Sequence, residues 1–427
     1  MLEADFALFN VDQLVTMAPR VDPAAHGELG LLERAALAAQ GDRIVWVGPM
    51  DRLDDEVRLA PNATVVNTHG RVAMPGFVDP HTHPVFAGKR CNDFYARSLG
   101  ERYGRQLESG GIRQTIDATR GASEEKLLDL AYKRADTFLR YGTTTIEGKT
   151  GYGLTEQDEL KSLAVLNRLQ HLHPLKVVPA FLGAHVVPPE FSGGPDDYVT
   201  EVAERWLPAA VDRARFVDVW ADEGAFTVDQ ATRILDAGRE LGFLLTAHAN
   251  ELGPHGGAKM AAEQGCVSVD HLVYLDDEDI SALKRHGTVA VLLPGTTLFL
   301  DSDRYAPARA LLDAGVTVAL GTDFNPGTSF TQNMQLVLTL AVLKLHMTAE
   351  EVIQGATLNA AKAIGLDDVV GSLAPGKYCD VSVFRVGHYN EIPYHMGMNL
   401  VETVVAGGQV VVQDGELVSR GALSPVP

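Results

Sequence analysis

Met74-Pro-Gly-Phe-Val-Asp-Pro-His-Thr-His83 ends a short apolar run in two histidines that lie two residues apart. Alternate side chains of a β-strand point to the same face, so His81 and His83 can both reach one metal ion. The spacing alone fits equally well a pair of histidines that are hydrogen-bonded within a turn. The rest of the chain has to decide between a metal site and a turn.

A second histidine pair with the same spacing, His171 and His173, leads to a different prediction. Leucines at positions 160, 163, 166 and 169 precede it and indicate an amphipathic helix. Positions two apart on a helix point in different directions, so these two imidazoles diverge. We expect His171 and His173 to be solvated residues at a helix end.

Between Phe77 and Asp323 the sequence alternates short apolar runs with helical patterns, and several helical patterns close on a glycine. These glycines are Gly142, Gly242, Gly265, Gly287 and Gly315. Eight strands are predicted, at 77–79, 143–147, 176–181, 217–221, 243–247, 267–270, 289–293 and 316–320. Eight consecutive βα units predict a TIM-like (β/α)8 barrel. The alternative, an open doubly wound sheet, lacks a glycine-rich phosphate motif after the first strand.

Chemically capable side chains lie at or just after the carboxyl ends of these predicted strands. The carboxyl ends of barrel strands form one rim, where barrel enzymes place their active sites. We therefore expect residues distant in sequence to become neighbours. They are His81, His83, Glu147, Lys149, His185, Glu223, His248, His271 and Asp323.

The two ends of the chain have a different pattern from the middle. Strand-like runs such as Arg43-Ile-Val-Trp-Val47 and Gln409-Val-Val-Val412 occur there without long helical patterns. Neither end has enough strands for a stable sheet of its own. We predict that residues 1–72 and 372–427 combine into a small composite β-sandwich domain around a barrel of residues 73–371.

Composition limits the classes of partner. The 427 residues include 36 Lys and Arg against 56 Asp and Glu, a formal net charge of -20, which disfavours nucleic acid and anionic membranes. No apolar run reaches the ~20 residues that cross a bilayer, and the N-terminus does not resemble a signal peptide. Three cysteines without metal-ligand spacing suggest reduced thiols. We expect a cytoplasmic protein, in which an anionic substrate needs a local cation.

Three histidines and one carboxylate suit a divalent metal with an open position for water. His81, His83, His248 and Asp323 form this predicted set. Glu251 is expected to be a rim carboxylate near the metal, although a helix-capping or solvated acid fits its spacing too. His271 and Asp323 are placed to act as the base and as the group that stabilises the developing negative charge. These residues predict metal-assisted hydrolysis of a C–N bond or a deamination.

The pattern resembles that of the amidohydrolase superfamily over nearly the whole chain. The motifs are Pro75-Gly-Phe-Val-Asp-Pro-His-Thr-His83, the isolated His248 and His271, Gly321-Thr-Asp323, and Gly371-Ser-Leu-Ala-Pro-Gly-Lys-Tyr-Cys-Asp380. Closer motifs resemble the imidazolonepropionase family. They are Val85-Phe-Ala-Gly-Lys-Arg90, Gly142-Thr-Thr-Thr145, Lys149-Thr-Gly-Tyr-Gly-Leu154, Leu292-Leu-Pro-Gly-Thr-Thr297 and Thr322-Asp-Phe-Asn-Pro-Gly-Thr328.

The resemblance implies hydrolysis of 4-imidazolone-5-propanoate to N-formimidoyl-L-glutamate in histidine degradation, by a homodimer with one zinc or iron (Fe²⁺ or Fe³⁺) per subunit. The implied metal ligands are His81, His83, His248 and Asp323. The implied substrate-binding residues are Arg90, Tyr152, His185, Glu251, Asn325, Gly327 and Thr328. The implied catalytic groups are Glu251 on the leaving ring nitrogen, His271 as stabiliser or base, and Asp323 as proton relay.

Three positions put details of this assignment in question. Asn250 stands where the family commonly has an acid, and Lys89 stands beside Arg90 where a small residue is usual. Lys149 is interpreted as structural, because the resemblance implies a single metal. Two alternatives stay open: another mononuclear amidohydrolase, such as a purine or pyrimidine deaminase, and a catalytically inactive scaffold of the same fold.

Overall fold

Two β-sheets organise residues 1–99 and 111–418, the part of the chain that this computed structural model describes. The first contains strands from both chain ends: β1 (Leu2–Val15), β2 (Leu31–Gln40), β3 (Arg43–Pro49), β4 (Val57–Asn67), β5 (Val72–Pro75), β14 (Val381–Phe384), β15 (Val401–Ala406), β16 (Gln409–Gln413) and β17 (Glu416–Leu417). The second comprises β6 (Phe77–Thr82), β7 (Thr143–Lys149), β8 (Lys176–Ala184), β9 (Phe216–Ala221), β10 (Leu244–Ala249), β11 (Ser268–His271), β12 (Val289–Leu292) and β13 (Val318–Leu320).

The second sheet is the predicted barrel. Its eight strands are parallel and follow chain order from β6 to β13. The first and last strands meet where the Asp79 carboxylate accepts hydrogen bonds from the backbone (3.0 Å) and hydroxyl (2.5 Å) of Thr322, and His83 N donates to Phe324 O at 2.8 Å. The TIM-like architecture is confirmed.

Helices follow most of the barrel strands. They are Cys91–Ser98, Gly111–Gly121, Glu124–Arg140, Glu156–Leu172, Pro195–Glu201, Leu207–Ala210, Val228–Glu240, Gly257–Glu263, Asp277–His286, Pro294–Phe299, Ala308–Asp313, Met334–Leu345, Ala349–Gly355 and Leu358–Ala363; shorter ones lie at Leu53–Glu56 and Glu391–Tyr394, with 3-10 and π turns at Met50–Arg52 and Val202–Trp206. All five predicted helix-ending glycines have a positive φ, from 70° to 87°. No helix in the described residues is long and apolar enough to cross a membrane.

The first sheet confirms that the two chain ends combine. β14 pairs with β5 and thereby joins the C-terminal strands to the N-terminal ones. The sheet forks at β1, whose first part pairs with β4 and whose last part pairs with β5. The exact boundaries at 72/73 and 371/372, and the description as a sandwich, stay predictions.

Two strands of this sheet and one histidine differ from what the sequence pattern predicts. The long strands β1 and β2 were not among the predicted runs; β2, Leu-Leu-Glu-Arg-Ala-Ala-Leu-Ala-Ala-Gln, has the composition of a helix but is held between β1 and β3. The expectation that His173 is solvated is wrong. Its ring is buried against Tyr132, and its Nε2 lies 3.3 Å from Asp136 Oδ1, whereas His171 is exposed.

Candidate active site

His81 and His248 turn one imidazole nitrogen each toward a common centre. His81 Nδ1 lies 2.7 Å from Asp270 Oδ2, and His248 Nδ1 lies 3.0 Å from Asp218 Oδ2. Each carboxylate accepts a hydrogen bond from Nδ1, so Nε2 is the atom that each imidazole turns toward the centre. His248 Nε2 is buried and has no hydrogen-bond partner among the described residues. These nitrogens are prepared to bind a cation.

Two groups of potential ligands share His81. One consists of His81, His83 and Asp323, and the other of His81, His248 and His271, with ligand atoms within 4.8 Å of one another in each group. Asp323 Oδ1 lies 3.4 Å from His81 Nε2 and 3.6 Å from His83 Nε2. The four predicted ligands are divided between these two groups, and His271 belongs to the second. Three nitrogens and a carboxylate fit a single divalent metal.

Lys149 lies beneath this centre and is completely buried. Its ammonium group is 2.7 Å from Asp218 Oδ2, 2.8 Å from Glu147 Oε2 and 3.3 Å from Asp270 Oδ2. The sequence interpretation missed Asp218 and Asp270, although both hold predicted ligands. Strand alternation was the available signal, since Asp218 and Trp220 share a face of β9.

Burial and neighbouring charges shift the pKa values of the titratable side chains in the site. Burial lowers the pKa of His81, but the Asp270 carboxylate outweighs it and the pKa rises to about 10. Burial lowers the pKa of His185 to about 4 and that of His271 to about 3, so both rings are neutral near pH 7. Burial would raise the pKa of Asp323, but the hydrogen bond from His81 and the nearby imidazoles lower it, so this carboxylate stays ionised.

A small cavity of about 30 Å³ opens above the centre. Ten of the twelve predicted site residues line it; His81 lies below the lining and Gly327 behind it. Ile112 and Trp220 complete the lining and were not predicted. The lining residues are His83, Arg90, Ile112, Tyr152, His185, Trp220, His248, Glu251, His271, Asp323, Asn325 and Thr328.

Four buried polar atoms around this cavity have no hydrogen-bond partner among residues 1–99 and 111–418. They are Nη2 of Arg90, Nδ1 of His83, Nε1 of Trp220 and Nε2 of His248. Buried polar groups are normally satisfied, so a cluster of four unsatisfied ones indicates a place for a ligand. Two of them, on Arg90 and Trp220, are obligate donors.

Arg90 is held in position at the cavity wall. Its Nε donates to Asp93 Oδ2 at 2.7 Å, and its side chain is 2% exposed. Gly327 gives it space, because a Cβ there would overlap Nη1 of Arg90. The neighbouring Lys89 is exposed and points away from the lining, so the departure at this position adds no charge inside the cavity.

The loop that carries Tyr152 is fastened by one buried acid, Glu159. Its carboxylate accepts from Gly151 N at 2.9 Å and from Gly153 N and Leu154 N at 2.7 Å each. Gly151 O in turn accepts from His185 Nδ1 at 2.9 Å, which leaves the Nε2 lone pair of His185 free of that proton. Glu159 thereby orders two predicted substrate-binding residues.

The turn after β13 is braced from within by Asn325. Its amide oxygen accepts from Gly327 N and Thr328 N at 2.8 and 2.7 Å, and its Nδ2 donates to Asp323 O at 2.7 Å and Thr328 Oγ1 at 2.8 Å. Asn325 and Thr328 line the cavity, but these polar atoms already form hydrogen bonds within the turn. Thr296 Oγ1 donates to Asp323 Oδ2 at 2.6 Å and fixes that carboxylate.

Glu251 is buried, with Oε1 3.6 Å from His271 Nδ1. Burial and the charge of Asp323 raise the pKa of Glu251 well above its ordinary range, which favours the protonated carboxyl group. Asn250 precedes it with φ 53° and donates from Nδ2 to Tyr274 O (2.7 Å) and Asp279 Oδ2 (3.2 Å). An acid could not make these two contacts when ionised, which accounts for the amide in this chain.

Glu223 follows the carboxyl end of β9, as predicted, but it does not line the cavity. Its side chain is exposed, whereas the preceding Asp222 is buried and accepts from the backbone of Glu251 and Leu252. Asp222 supports Glu251 rather than contacting the cavity.

Comparison with known proteins identifies the family. Residues 72–411 match the model of the amidohydrolase family. Imidazolonepropionase of Geobacillus kaustophilus (strain HTA426) is 45% identical over 415 residues, which cover 95% of this chain and 97% of that protein. This chain belongs to the imidazolonepropionase family. Imidazolonepropionase of Symbiobacterium thermophilum is 42% identical over 98% of this chain and 100% of its own length.

Solved structures outside the imidazolonepropionase family share the fold. An adenosine deaminase from Xanthomonas campestris with bound zinc superposes with a TM-score of 0.73 at 20% identity, over 98% of this chain and 95% of its own. Atrazine chlorohydrolase from Arthrobacter aurescens TC1, complexed with zinc, has a TM-score of 0.68 at 18% identity, over 97% of both chains. At these identities the likeness concerns the fold alone.

Proposed function

We propose that this protein hydrolyses a ring C–N bond of 4-imidazolone-5-propanoate to give N-formimidoyl-L-glutamate. Family membership across nearly the whole chain supports the reaction. The observation that carries the proposal is the cavity itself. Around it lie nitrogens of His83 and His248 and Nη2 of Arg90, none of which has a hydrogen-bond partner among the described residues. A substrate with a carboxylate at one end and a reactive ring at the other fits such a space.

The metal is part of this proposal. His81, His83, His248 and Asp323 would hold one zinc or iron ion, with Asp270 and Asp218 fixing the first and third of these ligands. When bound, a divalent ion supplies Lewis acidity and a nucleophile that is available near neutral pH. The buried carboxylates around the histidines also offset the charge of such a cation.

Arg90 would bind the propionate carboxylate of the substrate. Its Nε donates to Asp93, and its Nη2 is a donor without a partner in the described part of the chain. A guanidinium binds a carboxylate through charge-assisted hydrogen bonds, and the buried position excludes competing water. Trp220 Nε1 is a second donor available to the substrate. These contacts orient the ring over the metal ligands.

Glu251 and His271 would handle the protons. The raised pKa of Glu251 favours its carboxylic acid form, which can donate a proton to the ring nitrogen that leaves. His271 is neutral and can accept a proton or steady the negative charge that develops on the carbonyl oxygen. Asp323 is ionised. As a proposed metal ligand it could accept a proton from water and pass it on within the same step.

Product analysis tests the reaction. Incubation of the purified protein with fresh 4-imidazolone-5-propanoate is expected to yield N-formimidoyl-L-glutamate, detected by mass spectrometry, without ammonia. Ammonia release, or turnover of a purine or pyrimidine instead, would replace the proposal with a deaminase. The deaminase is not favoured by the relatives, which are named imidazolonepropionase at 38–45% identity.

The proposal includes a homodimer located in the cytoplasm. The family resemblance supports the dimer, and the strongly acidic composition suits an enzyme without nucleic-acid or membrane partners. Light scattering on the purified protein tests the dimer: a mass near twice 45.9 kDa supports it, and a single-chain mass contradicts it.

A further inference from the structure

The buried ammonium group of Lys149 contacts both aspartates that hydrogen-bond to proposed metal ligands. Lys149 Nζ lies 2.7 Å from Asp218 Oδ2, and this same oxygen is 3.0 Å from His248 Nδ1. On the other side Nζ lies 3.3 Å from Asp270 Oδ2, the oxygen that is 2.7 Å from His81 Nδ1. One lysine thus connects two imidazoles on different strands.

The two carboxylates need a cation between them. Asp218 and Asp270 are both fully buried, and their oxygens lie within 4.8 Å of each other in one group with His248. Two ionised carboxylates at this separation repel each other in a medium of low dielectric constant. The ammonium group between them removes the repulsion and leaves each carboxylate one direction in which to accept the imidazole proton.

We propose that Lys149 is a positioning residue of the metal site, which fixes Asp218 and Asp270 so that His248 and His81 keep their protons on Nδ1 and turn Nε2 to the metal. The proposal rests on the metal site proposed above. Through these two aspartates Lys149 acts on two ligands at once, and it is also part of the barrel core. Loss of an outer support of this kind typically weakens metal binding about 10- to 100-fold.

Glu147 is the third partner of Lys149. It allows an experiment to distinguish the orientation of the two aspartates from the balance of charge in the buried cluster. Glu147 Oε2 lies 2.8 Å from Lys149 Nζ, and the described contacts join its side chain to no metal-ligand histidine. Removing the charges of Lys149 and Glu147 together keeps the net charge of the buried cluster but takes away the tether. If Lys149 only balanced charge, the double change would leave metal binding intact.

The matched control is Lys176, at the opposite end of the barrel. Its ammonium group lies 2.8 and 2.9 Å from the two oxygens of the buried Asp380 and is remote from the ligands in the contact network. Lys176→Met therefore removes a lysine–aspartate pair, in which the lysine is partly exposed, from the same barrel. It is expected to lower the melting temperature without changing metal affinity.

The experiment measures the dissociation constant for Zn²⁺ by competition with a chromophoric chelator, together with the melting temperature of the metal-free protein. Lys149→Met and Lys149→Met/Glu147→Gln are expected to bind Zn²⁺ about 10- to 100-fold more weakly than the wild type. Lys176→Met is expected to stay within about threefold. The visible spectrum of Co²⁺-loaded protein is expected to change in the Lys149 variants alone, because the ligand geometry changes.

Wild-type zinc affinity in the double variant would overturn the proposal, since orientation would then not depend on Lys149. Failure of both Lys149 variants to fold, judged by circular dichroism, would also overturn it and assign Lys149 to the fold alone. A wild-type protein that binds no Zn²⁺ at all would instead refute the metal site of the proposed function, so the two failures are distinguishable.

Discussion

A Cβ atom placed on Gly327 would lie 2.9 Å from Cζ of Arg90, closer than real Cβ contacts allow. The glycine is therefore a requirement of the guanidinium position, and the two residues act as one element of the cavity wall. Their separation in the chain, 237 residues, shows how the barrel rim gathers distant segments.

Arg90→Gln and Gly327→Ala are expected to weaken substrate binding in the same way. The first removes the cation for the carboxylate, and the second displaces it. KM should rise about 10- to 100-fold in each, which corresponds to ~1.4 to 2.7 kcal/mol for a charge-assisted contact. Steady-state kinetics on 4-imidazolone-5-propanoate measure the change. The control is Lys89→Gln, whose exposed side chain should leave KM unchanged; an equal effect there would count against the assignment of Arg90.

Glu159→Gln is expected to loosen the loop of Tyr152 and His185. An amide has one acceptor oxygen in place of the two that accept three backbone N–H groups. We expect a loss of ~1–3 kcal/mol of unfolding free energy and a severalfold rise in KM. Urea titration and kinetics check both. Glu156→Gln, on the first turn of the same helix, is the matched control, and a wild-type KM in Glu159→Gln would contradict the role of the carboxylate.

Glu251→Gln separates hydrogen bonding from proton donation, because the amide can donate a hydrogen bond but cannot transfer the carboxyl proton. With the metal content unchanged, kcat is expected to fall about 10²- to 10⁴-fold. Metal analysis of the same sample by mass spectrometry is the control. A variant with its metal and full turnover would remove Glu251 from the catalytic groups.

The neutral state of His185 makes stability depend on pH in a defined direction. Its pKa is 6.5 when free and about 4 in the buried site, so the folded state binds fewer protons than the unfolded state below pH 6.5. The contribution to the unfolding free energy is complete above pH 6.5 and is lost as the pH falls toward 4, by at most ~1.4 kcal/mol per pH unit.

His185→Gln should accordingly flatten the loss of melting temperature between those pH values, whereas His171→Gln, a change at an exposed imidazole, should not. Differential scanning fluorimetry at a series of pH values measures the slopes. Parallel slopes for the wild type and His185→Gln would show that His185 is not held neutral.

The barrel and most of the cavity could be predicted because they follow local rules. Apolar runs ending in His81, His248 and His271 identify strands whose ends meet on one rim. Asp218 and Asp270 escaped prediction because each lies inside an apolar strand, and its partner is revealed only when neighbouring strands are paired. β2 escaped because pairing with β1 and β3 overrides its helical composition.

The direction in which a side chain points after the end of a strand or helix could not be predicted either. Asp222 and Glu223 are adjacent acids after β9, and nothing in their spacing says which one turns inward. The structure buries Asp222 against the backbone of Glu251 and leaves Glu223 exposed. His173 was misplaced for a related reason, because the helix ends at Leu172 and the next residue turns back toward Tyr132.

The most direct test of metal-dependent ring hydrolysis is the rate of loss of freshly prepared 4-imidazolone-5-propanoate, corrected for its spontaneous decay, before chelation, after chelation and after metal is added back. The predicted result is rapid loss with formation of N-formimidoyl-L-glutamate, abolished by the chelator and restored by Zn²⁺ or Fe²⁺. Undiminished turnover in protein shown to be free of metal, or no acceleration by metal-loaded protein, would contradict it.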